Sequence, residues 1–463
     1  MKIKTFFWAM LLMVGLQMAA QQIYQADWHS IDSRPVPAWY TDAKFGIFIH
    51  WGVYSVPGWA PTGSEYQVYS KYAEWYWYRL VADTGKVGRA FREHHLKTYG
   101  PSFKYQDFAG SFKAELFDPN QWADLFAASG ARYVVLTSKH HEGFTLWPST
   151  QSWNWNSVDL EPHRDLAGEL STAVKAKGLH MGFYYSLYEW FNPLYKSDVN
   201  RYVDEHMIPQ MKDLVTRYKP DVFWTDGEWE HPSETWKSTQ FLAWLYNESP
   251  VKEQVVVNDR WGKETRGHHG GFYTTEYDLI NNENGKDKKM THPWEECRGI
   301  GFSFGINRHE NLNDYSSSAD LIHLLVEKCA KGGNLLLDIG PNADGTIPVI
   351  LQQRLTDIGN WLKINGEAIY GTHSWQQAPA GADKNGIYFT RKGRDLYLLC
   401  THFPTTAINL PGINKINTFS LLGVAGPTRF SFKHGQLTIQ PPLVTQVNQA
   451  ANDAWVFKLD NVF

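Results

Sequence analysis

Apolar and polar positions along this chain switch between two periods. Short apolar runs rich in β-branched and aromatic residues fall at 44–52 (KFGIFIHWG), 133–141 (YVVLTSKHH), 180–186 (HMGFYYS), 221–226 (DVFWTD), 254–260 (QVVVNDR), 272–277 (FYTTEY) and 334–340 (NLLLDIG). Each reads as a buried strand. Between them the spacing lengthens to that of a helix. The pattern at 119–130 starts behind Asp118 and closes on Gly130, and that at 164–178 closes on Gly178. Further helical patterns cover 199–218, 234–248, 318–331 and 350–365. Strands alternating with helices predict a mainly parallel sheet. Roughly seven or eight such units over about 340 residues fit a (β/α)8-like barrel better than an open sheet. A long loop is expected after residue 277, carrying Trp294-Glu295-Glu296 and Gly301-Phe302-Ser303-Phe304-Gly305. Past Gly371 the pattern changes to short alternating strands such as 386–391 (GIYFTR) and 395–400 (DLYLLC), with no helix. The expected organisation is an α/β catalytic domain over 21–370, followed by an antiparallel β-sandwich over 371–463.

Several of these apolar runs end in polar side chains: His50, His140, His141, Tyr184, Asp226, Arg260 and Glu276. Each alone has a dull explanation. A single histidine is more often a hydrogen-bonded core residue, and Asp226-Gly227 could be a strand-ending turn. In a barrel, however, the C-terminal ends of the strands converge on one face, where catalytic groups sit. Two carboxylates beside histidine, arginine and aromatic rings suit glycoside hydrolysis. That reaction needs one carboxylate to attack or activate water and a second, protonated one to serve the leaving oxygen. Asp226 and Glu276 are the best placed pair. A metallohydrolase is the rival reading, with His50, His140, His141 and an Asp on Zn²⁺. Against it, His140 and His141 are consecutive and would face opposite sides of a strand. No metal and no organic cofactor is expected.

Composition narrows the partners. The 463 residues carry a formal net charge of -4 with no long basic run, which argues against nucleic acid. The 21 Trp and 24 Tyr suit a sugar site, although aromatic cores use the same residues. Cys297, Cys329 and Cys400 are too few for a disulfide framework. Lys2 and Lys4 precede an apolar run from Phe6 to Leu16 and the pair Ala19-Ala20, the pattern of an export signal over 1–20. The run is short for a membrane span. The expectation is an exported protein, periplasmic or secreted.

The order FGIFIHWGVYSVPGW, AEWYWY, SKHHEGF, SWNWNS, HRDL, WTDGEW, VVVNDRWG, SFG and GGNLLLDIGP resembles the α-L-fucosidases of glycoside hydrolase family 29. The likeness runs from about Lys44 to the change of pattern near Gly371, and the family also continues into a β-sandwich. The resemblance implies an exo-acting, retaining hydrolase that removes terminal α-L-fucose from oligosaccharides or glycoconjugates through a covalent intermediate. Matched motif by motif, Asp226 resembles the nucleophile. His50, His140, His141, Trp224 and Arg260 resemble the residues that hold the fucose hydroxyls, and Glu74-Trp75 the loop that reaches the same sugar. Phe304 resembles the aromatic beside the fucose methyl. Tyr184 belongs to this set, with Tyr185 competing for its role. For the acid/base, Glu276 is the choice and Glu295 the competitor, the loser still shaping the site. Glu228 is read as structural. The alternative function is a non-catalytic fucose- or glycan-binding protein on the same fold.

Overall fold

The computed structural model describes residues 22–278, 292–413, 415–424, 429–433, 436–443 and 453–463. The export-signal pattern at 1–20 and residues 279–291 of the expected loop after residue 277 lie outside them. Eight strands form one parallel sheet: β1 (Phe45–Ile49), β2 (Tyr133–Lys139), β3 (His180–Ser186), β4 (Val222–Asp226), β5 (Val256–Val257), β6 (Tyr273–Glu276), β7 (Trp294–Gly299) and β8 (Asn334–Ile339), in the order β5-β4-β3-β2-β1-β8-β7-β6. Side chains alternate across the sheet. Phe48, Tyr133, Val135, Tyr184, Val222, Trp224, Val256, Cys297 and Leu336 pack together on one face. Their neighbours Ile47, Val134, Phe183, Tyr185, Phe223, Val257 and Leu337 join the main apolar core with the surrounding helices.

The sheet ends at β5 and β6, which share no ladder. The Phe272 N–H donates to the Val257 carbonyl at 3.0 Å, and the Gly271 N–H to the Asn258 carbonyl at 3.3 Å. A Cβ on Gly271 would lie 2.0 Å from the Val257 oxygen, so this approach requires glycine. The buried Asp259 extends the seam, its Oδ1 accepting from the Thr274 N–H (3.1 Å) and hydroxyl (2.7 Å). A carboxylate thus stands in for a missing strand partner.

Local chemistry explains the helices. Asp118 accepts from the Asn120 and Gln121 N–H groups to start the helix Pro119–Ala128, and Asp165 caps Leu166–Ala176. Ser317 and Asp320 close a capping box on Ser318–Ala330. The helix expected over 199–218 is instead three pieces: Val199–Arg201, a π-helical turn Tyr202–Met207, and Ile208–Tyr218. Pro209 at the start of the last piece has no N–H to donate back into the preceding turn. Only Val256–Val257 pairs from the expected strand 254–260. The expected loop is also corrected: Trp294–Gly299 is β7, pairing with both β6 and β8. Its adjacent glutamates hid the strand's alternation.

Beyond the barrel, antiparallel strands begin at His373–Ser374. They form a five-stranded and a three-stranded sheet. Leu396, Leu398, Phe457 and Leu459 of the first meet Leu410, Leu437 and Ile439 of the second in one core. Trp361 of the last long helix (Val349–Asn365) donates to the Ala454 carbonyl at 2.9 Å and ties this unit to the barrel.

Candidate active site

Asp226 is the last residue of β4, where the apolar run Val222-Phe223-Trp224 delivers it to the rim of the barrel. Its Oδ1 accepts from Arg260 Nη1 (2.8 Å) and Arg266 Nη2 (3.4 Å), and its Oδ2 from the Tyr184 hydroxyl (2.9 Å). Burial alone would push this carboxyl up. The Arg260 guanidinium, with Arg266, outweighs burial and holds it well below the usual carboxylate range. Asp226 is therefore ionised in the resting site.

Arg260, just past β5, spans two carboxylates. Its Nη2 donates to Glu276 Oε2 at 3.3 Å, and its Nε to the Thr274 hydroxyl at 3.0 Å. The guanidinium lies 4.4 Å above the Trp224 ring, which holds the fork in plane. Glu276 ends β6, its Oε1 accepting from the Tyr72 hydroxyl at 2.8 Å. The structure brings Asp226, Arg260 and Glu276 together, and adds Tyr72 and Arg266, which the sequence does not single out.

A histidine wall adjoins Asp226. His50 Nδ1 lies 2.7 Å from Asp338 Oδ1 at the end of β8. Burial holds the His50 ring well below its usual pKa, and burial raises that of Asp338. His141 Nδ1 lies 2.6 Å from the Ser186 hydroxyl, which itself donates to the Tyr188 carbonyl at 2.5 Å. Ser186 can then only accept from His141, so the proton sits on Nδ1. Burial keeps the ring neutral, which leaves Nε2 an acceptor, 3.8 Å from Asp226 Oδ2. Two acceptors facing each other across that gap call for a donor between them, such as a sugar hydroxyl. His140 stacks on Tyr184 at 5.5 Å, and its buried Nδ1 has no hydrogen-bond partner among the described residues. Glu74 is buried, accepting from the Gly305 N–H at 2.9 Å and the Ser303 hydroxyl at 3.3 Å, and burial raises its carboxyl to about 7. Trp75 meets the His141 ring edge-on at 5.1 Å.

Apolar surface completes the site. Phe304 packs 4.8 Å from His50 and 5.2 Å from Tyr72, and Tyr184 stacks on Trp224 at 5.6 Å. Tyr184, not Tyr185, reaches Asp226. Tyr185 points the other way and donates to Gln210 at 2.8 Å. Among the described residues no three His, Cys, Asp or Glu side chains form a metal-ligand set.

The expected place of Glu295 is corrected. Glu295 is not on a cleft loop. It lies inside the barrel, 0 % exposed, its Oε2 accepting from Tyr40 (2.8 Å) and Tyr133 (2.5 Å) and its Oε1 from Trp224 Nε1 (3.0 Å). Burial raises this carboxyl to about 7. Trp224 consequently offers the pocket a ring face and no N–H. Glu295→Ala is expected to cost about 3 kcal/mol or more of stability, because it strands three buried donors. Urea unfolding checks this. A midpoint within error of the parent protein would show that the three donors find other partners. The pH dependence has a definite sign. A carboxyl with a raised folded-state pKa favours folding at low pH, and that contribution is lost as pH rises towards about 7.

Comparisons with known proteins converge on one family. The family model described as alpha-L-fucosidase matches residues 11–367. An alpha-L-fucosidase of Dictyostelium discoideum is 50% identical over 384 residues, covering 81% of this chain and 80% of that protein. The tissue alpha-L-fucosidase of Homo sapiens is 44% identical over 453 residues, covering 95% and 92%. The crystal structure of Thermotoga maritima alpha-fucosidase superposes with a TM-score of 0.76 at 38% identity, covering 94% of this chain and 100% of that one.

Proposed function

This chain belongs to the α-L-fucosidase family and is a glycoside hydrolase acting on α-L-fucosides, and from that premise we propose a double displacement with Asp226 as nucleophile and Glu276 as acid and base. The observation that carries this reading is Arg260, whose single guanidinium is bonded to both carboxylates. Attack falls to Asp226 Oδ2, since Oδ1 is bound by two guanidiniums and Oδ2 by one hydroxyl. As the Oδ2–anomeric carbon bond forms, the glycosidic bond breaks, and Glu276 delivers a proton to the departing oxygen. The ester is then cleaved by water, whose proton returns to Glu276.

His50, His140, His141, Glu74 and Trp75 surround the sugar's hydroxyls. Neutral His141 accepts through Nε2. Phe304, Tyr184 and Trp224 supply apolar surface for the methyl group of a 6-deoxy sugar. The substrate is a terminal α-L-fucosyl group on an oligosaccharide or glycoconjugate. Residues 1–20 carry the pattern of an export signal, and 371–463 form a separate β-sandwich domain in this reading. No helix among the described residues is long and apolar enough to cross a membrane.

The test is stereochemical. Proton NMR of a freshly started reaction should show α-L-fucose first, with the β anomer appearing only by mutarotation. Initial β-L-fucose would mean single displacement and would remove the nucleophile role from Asp226.

A further inference from the structure

We propose that Tyr69 is the binding platform for the sugar ring that leaves, so that its exposed face selects substrates whose fucose is attached to a pyranose. The inference rests on the reading of Glu276 as the acid/base. In a double displacement the nucleophile and the leaving group occupy opposite faces of the sugar. The leaving ring must therefore begin at an oxygen within hydrogen-bond reach of Glu276 and extend away from Asp226.

Tyr72 and Tyr69 occupy that side. The Tyr72 hydroxyl is 2.8 Å from Glu276 Oε1, and the Tyr69 ring stands edge-on to the Tyr72 ring, 5.6 Å between centroids at 82°. Tyr72 is buried, whereas Tyr69 is 40% exposed. The short helical turn Val68–Ser70 carries Tyr69, and Arg79 Nη2 fixes it by donating to the Tyr69 carbonyl at 3.0 Å. The ring is thus a held, open face one aromatic ring away from the acid. A flat amphipathic ring in that position suits the C–H face of a pyranose, with its hydroxyls left in water.

Trp229 is the competing platform. It is 37% exposed and lies on the other flank, against His141 (5.6 Å) and Trp75 (6.3 Å). Of these, His141 stands on the Asp226 side of the sugar, its Nε2 3.8 Å from Asp226 Oδ2, away from the path of departure.

The experiment compares two substrates of the full-length enzyme, α-L-fucosyl-(1→2)-D-galactose and α-L-fucosyl fluoride, which share the fucose and differ in the leaving group. The readout is the ratio of their kcat/KM values. Tyr69→Ala should lower that ratio about tenfold, the size of one aromatic contact. Tyr69→Phe should keep it, because the ring face and not the hydroxyl makes the contact. Trp229→Ala should also keep it. An unchanged ratio in Tyr69→Ala, or a fall in Trp229→Ala alone, overturns the proposal. Glu276→Gln separates the two levels of inference. Fluoride departs without a proton, so this variant should also depress the ratio. If it does not, the acid/base reading fails and the Tyr69 assignment falls with it. If it does and Tyr69→Ala is silent, only the assignment falls.

Discussion

Asp226→Ala should reduce kcat on an aryl α-L-fucoside by at least about 10⁴-fold, as loss of a nucleophile does. The variant keeps much of its local frame, because Arg260 still has Glu276 and Thr274 as partners. Added azide should then restore turnover and give β-L-fucosyl azide, since the small anion occupies the vacated side and attacks in one displacement. Asp226→Asn should lose activity to a similar extent, although it preserves an acceptor for Tyr184. This separates the missing charge from missing shape. An α-azide, or activity within tenfold of the parent enzyme, is the result that sinks the assignment. The stability consequence has a definite sign. Asp226 is held below its ordinary pKa, so its contribution is present above about pH 4 and is lost only as pH falls below that range.

Glu276→Ala should produce a loss that depends on the leaving group. For a disaccharide, whose departing oxygen needs a proton, kcat/KM should fall about 10²–10⁴-fold. For fucosyl fluoride the fall should be slight. Azide should yield α-L-fucosyl azide, formed by attack on the ester from the side Glu276 no longer guards. The rivals are testable in the same assay. Glu295 is sealed beneath Trp224, and Glu228 is engaged by Arg266 Nε. Neither Glu295→Gln nor Glu228→Gln should give the α-azide. Its appearance from the Glu228 variant alone would transfer the acid/base role there.

The resemblance to the fucosidases and the strand-end argument pointed to the same residues for different reasons. His50, His141, Tyr184 and Asp226 were legible because a polar side chain at the end of an apolar run is costly unless it faces a pocket. Arg260 and Glu276 were legible from the same signal, although β5 proved to be two residues long. Asp338 was overlooked because it lies within the run NLLLDIG, where strand propensity hides a single carboxylate. Tyr72 directly precedes the aromatic stretch AEWYWY, which has no period from which to infer direction. Arg266 sits in irregular chain after β5, where nothing marks a side chain as returning to the site. Glu295 failed differently. Two adjacent glutamates looked like loop, whereas they alternate across a strand: Glu295 turns to Tyr40, Tyr133 and Trp224, and Glu296 to Arg298. A buried carboxylate with three donors cannot be recognised from sequence when those donors come from three distant segments.

In the proposed double displacement, the shared guanidinium of Arg260 ties the two half-reactions together. While Asp226 is free, one cation is divided between two acids. Once Asp226 is esterified to the sugar, its negative charge is gone, and Arg260 has Glu276 as its remaining carboxylate partner. That is the stage at which Glu276, having released its proton, must wait as an anion for water. When the ester breaks, the charge returns to Asp226 and Arg260 is divided once more. In that mechanism the arginine is a beam balance between two pans, tilting toward whichever acid must carry charge at that moment.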